Sequence, residues 1–201
     1  MLTHDLGRKI FGKPENAGNV ILNAEATELL NSWVKNERLR LHMIQVGWLM
    51  KCWALEKENL PENKTWQWQL AGLLHDADWD QWPEEHCKKI IEELENRNVD
   101  PEILHAIASH GPSYFGVDPE TIMDKMLYAF DELSGFVHAY SLMRPDKYAG
   151  MEVKGVLKRM KDKTFAANVN RDDIKDASER CGIRMEELIQ FVIDHQPNAR
   201  I

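Results

Sequence analysis

The chain has 201 residues, with 33 acidic against 25 basic side chains and a formal net charge of −8. That length suits one domain with a sizeable core, and the acidic balance argues against a nucleic-acid groove. Cys52, Cys87 and Cys181 form no CxxC and leave one thiol unpaired, no stretch approaches the roughly 18 apolar residues of a membrane span, and a cytoplasmic protein is expected.

Residues 1–22 show no clear period, and Pro14-Glu15-Asn16-Ala17-Gly18 reads as loop, so 1–22 is taken as an N-terminal extension and 23–201 as one helical domain. Asn23 reads as the cap of a helix to about Asn36, with Leu29, Leu30, Trp33 and Val34 on its apolar side. The next helix runs from about Glu37 to Glu58. Val46, Leu49 and Trp53 fall four, seven and eleven residues after His42, which puts this histidine on their apolar face. After a loop containing Pro61, Trp66 and Trp68 lead into a third helix. Its run Leu70-Ala71-Gly72-Leu73-Leu74 has no β-branched residue and stops abruptly at His75-Asp76. A carboxylate ending a core helix needs a partner or a metal.

Asp78-Trp79-Asp80-Gln81-Trp82-Pro83 reads as a turn, and Pro83 suits the first turn of a new helix on which His86 lines up with Ile90 and Leu94. Asp100-Pro101-Glu102 opens the next helix and Gly111-Pro112 closes it. His110 follows the stripe of Ile103 and Ile107, whereas His105 lies roughly 140° away around the helix. Both cannot point into one site, and His110 is the one that faces inward.

Asp118-Pro119-Glu120 repeats the start signal for a helix carrying Ile122, Met123, Met126, Leu127, Phe130, Phe136 and Val137 on its apolar surface. Asp131 sits mid-helix between Phe130 and Leu133, where an unpaired charge is costly. Asp124 is accounted for by the helix dipole, and His138, two turns after Asp131, reads as ordinary packing, with a place in the same cavity as the alternative. Arg144-Pro145 ends the helix, and the stretch Met151 to Lys163 is the basic cluster of an acidic protein. Asp172 or Asp173 opens a helix that stops at Cys181-Gly182, and Met185 to His195 is a last helix that buries Leu188, Ile189, Val192 and Ile193. The expected fold class is all-α.

In this order, His42, His75-Asp76, His86, His110 and Asp131 resemble the ligand set of the HD superfamily of metal-dependent phosphohydrolases. The likeness is to members with two extra histidines between the His-Asp pair and the last aspartate, which hold two metal ions. Leu73 to Asp76 (Leu-Leu-His-Asp), Pro83 to His86 (Pro-Glu-Glu-His), Asp131 to Val137 (Asp-Glu-Leu-x-Gly-Phe-Val) and the run Lys161 to Ala167 are similar to motifs of predicted HD hydrolases. The resemblance covers about Asn23 to His195. It implies a compact multi-helix HD-domain bundle with the metal site between core helices, and those six residues as ligands. One departure stands out: many HD proteins have a lysine or glutamate three residues after the aspartate of the pair, and here that position is Trp79. The acid or base role then moves to Asp78 or Asp80, or is absent.

Four histidines and two carboxylates are too many for one tetrahedral zinc. They suit two divalent ions that accept nitrogen and oxygen donors, iron or manganese first, with magnesium, cobalt, nickel and zinc also compatible. Asp76 is the natural bridge, and a hydroxide held by such a pair is a nucleophile near neutral pH. The expected activity is hydrolysis of a small phosphorylated metabolite, a phosphomonoester of a nucleotide or similar compound, with neither nucleic acid nor membrane as partner. In this reading Asp76 serves the reaction directly, Asp78 or Asp80 protonates the leaving oxygen, and Arg144, Lys158, Lys161 and Lys163 hold the phosphate. Trp79 and Trp82 wall the entrance in this reading, or else are simply core. Two other readings share the ligand set: a di-iron oxygenase, and a metal-stabilised sensing module without turnover.

Overall fold

A computed structural model describes residues 18–201. Ten α-helices follow one another among the described residues: α1 (Asn23–Trp33), α2 (Glu37–Glu56), α3 (Glu62–Leu74), α4 (Lys88–Asn96), α5 (Pro101–Ser109), α6 (Pro112–Phe115), α7 (Ile122–Leu142), α8 (Val153–Met160), α9 (Arg171–Cys181) and α10 (Met185–His195). Single 3₁₀ turns stand at Pro83–Glu85 and Gln196–Asn198. The fold is an all-α bundle, and the one extended pairing among the described residues is an isolated parallel bridge between Asn19 and Val99. That bridge ties down the chain before α1: the Asn19 amide donates to Asn98 O at 2.6 Å and the Asp100 amide to Asn19 O at 2.9 Å. The Trp66 indole adds a bond to Ile21 O at 2.8 Å. Residues 18–22 therefore belong to the folded body, and the remainder of the expected extension, residues 1–17, lies outside the described residues.

Most helix ends follow from local chemistry. The Asn36 side chain accepts the Arg38 and Leu39 amides at the start of α2, and the Asn170 side chain accepts those of Asp172 and Asp173 at the start of α9. Asp100 caps α5 with Pro101 in its first turn, and Gly182, with φ of 67°, closes α9. Three expectations change. Asn23 is the first residue of α1 rather than its cap, because Glu25 reaches back to the Leu22 amide at 2.9 Å. α7 starts at Ile122 and not at Asp118-Pro119-Glu120, because Thr121 and Asp124 exchange side-chain bonds to each other's amides, a reciprocal cap that satisfies two donors at once. Ile122 then lies 39% exposed, off the apolar face. The helix expected from Pro83 is a single turn: the chain is extended at His86 (ψ 136°), and α4 begins at Lys88. His86 therefore sits in a break before α4, not on a stripe with Ile90 and Leu94.

α2 and α3 form the tightest pair in the bundle, and two glycines explain why. A Cβ on Gly47 would lie 2.9 Å from Gln69 O, and one on Gly72 would lie 2.8 Å from the Gly47 Cα. The two backbones touch at that crossing, which sets His42 on α2 beside His75-Asp76 at the end of α3. α7 packs across α2 and α5, and α9 and α10 pack on α7. The Trp53, Phe130 and Phe191 rings, from α2, α7 and α10, meet with centroids 4.9–5.7 Å apart and anchor the core. Leu188, Ile189, Val192 and Ile193 of α10 are buried as expected. No helix among the described residues is long and apolar enough to cross a membrane.

Candidate metal centre

α3 and α5 each end in a histidine, and the reason is the same in both. The last carbonyls of a helix have no intrahelical partner. The His75 ring donates from Nδ1 to Gly72 O at 2.8 Å, and the His110 ring donates from Nδ1 to Ile107 O at 2.6 Å. A carbonyl only accepts, so each neutral ring carries its proton on Nδ1 and keeps the Nε2 lone pair for the interior of the bundle. His86, in the break before α4, reaches the same state through Asp78, whose Oδ1 accepts from His86 Nδ1 at 2.6 Å.

The Nε2 atoms converge on two carboxylates. Asp76 lies just past α3 and Asp131 lies in the middle of α7. His75 Nε2 is 3.4 Å from Asp76 Oδ2 and 3.3 Å from Asp131 Oδ1. His42 Nε2 is 2.9 Å from Asp131 Oδ1 and 3.9 Å from Asp76 Oδ2. On the other side of Asp76, Oδ1 is 3.2 Å from His86 Nε2 and 3.6 Å from His110 Nε2. Two groups with metal-ligand chemistry result, each with its donor atoms within 4.8 Å of one another: His42, His75, Asp76 and Asp131 (the first half-site), and Asp76, His86 and His110 (the second). Asp76 belongs to both. Successive histidine rings meet edge to face at 5.1–5.4 Å, forming an arc around it. Phe115 packs against His86 and His110, and the Trp79 indole stands edge-on to His86 at 4.9 Å. The aspartate side chains keep 18% and 19% of their surface exposed, so an ion has a way in.

The donor set could hold a metal ion. His75 is fully buried, and its Nε2 makes no hydrogen bond although two carboxylates lie nearby. A buried polar nitrogen with no partner is costly, and an ion held among these atoms would satisfy it. Second partners that fix the ring orientation, here Gly72 O, Ile107 O and Asp78, are the usual companions of ligating histidines. The charges are tightly matched. Burial opposes ionisation of Asp76, yet His75, His110 and His86 hold its carboxyl well below the usual carboxylate range. Burial likewise works against charge on His75, but Asp76 and Asp131 keep its pKa well above the ordinary histidine value. His86 is pushed up to about 9 by Asp76 and Asp78 against the effect of its burial. Next to Asp131, burial and that neighbouring charge push the Glu132 carboxyl up to about 8.

The remaining candidates lie elsewhere. His105 is outside the centre and pairs with Asp124 at 2.8 Å. His138 joins Gln45 and Tyr148 in a separate polar cluster. The two carboxylates expected to act as acids have other work. Asp78 is fully buried, with Oδ1 on His86 and Oδ2 on the Ile90 amide at 2.9 Å. Asp80 is exposed and clamps the turn before α2, accepting the Lys35 and Asn36 amides at 2.7 and 2.9 Å. Trp82 packs on Trp33 rather than beside the histidines. Arg144 donates to Ala149 O and lies over the Tyr140 ring. Lys158, Lys161 and Lys163 are exposed on the last turn of α8 and the loop after it. That loop is held on α7 by Arg171, which donates to the carbonyls of Asp162, Phe165, Ala166 and Val169 and stacks on Phe136. The Asn170 amide, at the loop's end, donates to Glu132 at 3.2 Å.

Sequence reasoning missed Phe115, the Gly47–Gly72 contact and the orienting role of Asp78. The one local signal for Asp78 was its place two residues after Asp76, which is ambiguous without knowing where His86 lies. No family model matches the chain, and no match was found among curated proteins or solved structures.

Proposed function

We propose that this protein is a metal-dependent phosphohydrolase of the HD type that cleaves a phosphomonoester of a small metabolite. The observation that carries the reading is Asp76, one carboxylate shared by two groups of histidine and aspartate donors. A bridging carboxylate between ions about 3.5–4 Å apart is the arrangement of two-metal hydrolytic sites. Mixed nitrogen and oxygen donors suit iron or manganese. When bound, two such ions polarise phosphoryl oxygens and activate water, so the chain needs few further catalytic groups.

The chain's own residues then have distinct tasks. His42, His75, Asp76 and Asp131 would hold one ion, and Asp76, His86 and His110 would hold the other. Trp79 borders the centre beside His86, where an aromatic face suits a base or sugar ring. With Asp78 and Asp80 committed to His86 and to backbone amides, neither serves as the general acid in this mechanism. Lys158, Lys161 and Lys163, exposed on the last turn of α8 and the loop after it, would meet the phosphate as point charges.

The test is phosphate release from a panel of nucleotides and sugar phosphates, supplied with Mn²⁺ or Fe²⁺ and run with and without oxygen. Release that ignores oxygen and falls to the enzyme-free rate in Asp76→Ala is the expected result. Turnover that requires oxygen overturns the proposal in favour of a di-iron oxygenase. Full metal sites without turnover of any substrate overturn it in favour of a sensing module. Charge reversal of Lys161 and Lys163 should raise KM with the metals still bound, and unchanged kinetics would make these lysines a solvated face.

A further inference from the structure

We infer that Asp78 is a positioning residue that decides whether the second half-site can hold an ion, which makes the two halves of the centre unequal. The inference rests on the two-ion reading above and assigns a separate cause to each half. His75 and His110 are aimed by carbonyls of their own helices, three residues back, which form with the helices themselves. His86 has no such support. It lies in extended chain between a 3₁₀ turn and α4, and its Nδ1 is held by a carboxylate eight residues away in sequence.

The chemistry of that carboxylate is specific. Asp78 is fully buried and faces two donors, His86 Nδ1–H at 2.6 Å and the Ile90 amide at 2.9 Å. An ionised carboxylate accepts at both oxygens and so satisfies both. Asparagine has nearly the same shape but one acceptor and one donor. The Ile90 amide can only donate, so the asparagine oxygen turns toward it and the NH₂ group faces His86 Nδ1. The neutral ring then has to accept at Nδ1 and carry its proton on Nε2, the atom that lies 3.2 Å from Asp76 Oδ1. A protonated Nε2 has no lone pair for a metal. The first half-site is untouched, because His75 keeps its bond to Gly72 O. The Ile90 bond survives the exchange, so α4 keeps its start.

The experiment is a Co²⁺ titration of metal-stripped full-length protein, with ¹⁵N NMR of the histidine rings of the metal-free chain in buffer alkaline enough for them to be neutral. The unaltered chain should take two equivalents. Asp78→Asn should take one with unchanged affinity and bind the second about 10- to 100-fold more weakly, the usual effect of removing an outer partner of a ligating histidine. Combining Asp78→Asn with His86→Ala should bind no worse than His86→Ala alone. In the NMR arm the His86 proton should sit on Nδ1 in the unaltered chain and on Nε2 in the variant. Two tight equivalents in Asp78→Asn, or the same tautomer in both proteins, overturn the inference. If the unaltered chain binds fewer than two ions, the two-ion reading fails by itself, and the tautomer comparison still decides the role of Asp78. Should the variant not fold, a neutral His86 protonated on Nε2 in the unaltered chain overturns the inference.

Discussion

His105 and His110 stand five residues apart and do opposite jobs. His110 turns inward at the end of α5, while His105 reaches from the far side of the helix to Asp124. The Asp124 hydrogen bond raises the His105 pKa above the ordinary value, against partial burial. The folded protein thus holds this proton more tightly than the unfolded chain does. By linkage, the pair's contribution to stability is fully present below about pH 6.5, the ordinary histidine value, and is lost as pH rises through the raised folded value. His105→Gln should therefore lower the urea midpoint more at pH 6 than at pH 9. An equal loss at both values would assign His105 to packing alone. Metal stoichiometry should not change, since His105 belongs to neither half-site.

At the scale of elements, the crossing of α2 and α3 governs the first half-site. A Cβ on Gly47 meets backbone atoms, Gln69 O at 2.9 Å and Leu73 N at 3.1 Å, which cannot swing aside as a side chain would. Gly47→Ala should therefore force the helices apart, with an overpacking cost of about 1–3 kcal/mol. His42 rides on one helix and His75-Asp76 on the end of the other, so the same change should weaken binding of a metal ion added to these residues. Gly135→Ala on α7 is the control. Its Cβ would meet nothing within 4 Å, and replacing a helical glycine there should add about 0.5–1 kcal/mol of stability. Denaturant unfolding measures the first effect in both variants, and metal titration measures the second. Gly47→Ala behaving like Gly135→Ala would show that the crossing has slack.

For the whole molecule, the Trp53–Phe130–Phe191 cluster joins α2, α7 and α10, and Phe130 immediately precedes Asp131. Phe130 is fully buried. Phe130→Ala should cost about 3–5 kcal/mol, the range for a buried aromatic whose cavity cannot collapse, and should loosen the Asp131 side of the metal centre. Chemical denaturation checks the size of the loss. A loss below about 1 kcal/mol would mean that the three helices close over the gap, since large-to-small costs depend on how far a site can collapse.

The all-α class and the inward facing of His42, His110 and Asp131, with His105 turned away, were legible in the order of residues alone. These follow from the 3.6-residue period, a property of each helix alone. The start of α5 and the stop of α9 were equally legible, because Asp100-Pro101 and Gly182 act on amides and carbonyls within a few residues. His86 faces inward as its spacing predicts, but from a break before α4 rather than from a helix. Which carboxylate meets which donor emerges from the packing of distant segments. Asp78 and Asp80 look alike in sequence, yet one turns inward to His86 and the other reaches amides 44 and 45 residues away. The Gly47–Gly72 contact was likewise silent, since a glycine inside a helix reveals its purpose only when another backbone arrives against it. A side chain's face is a local matter of dihedral geometry, but its partner depends on how distant segments pack, and no spacing along the chain records that.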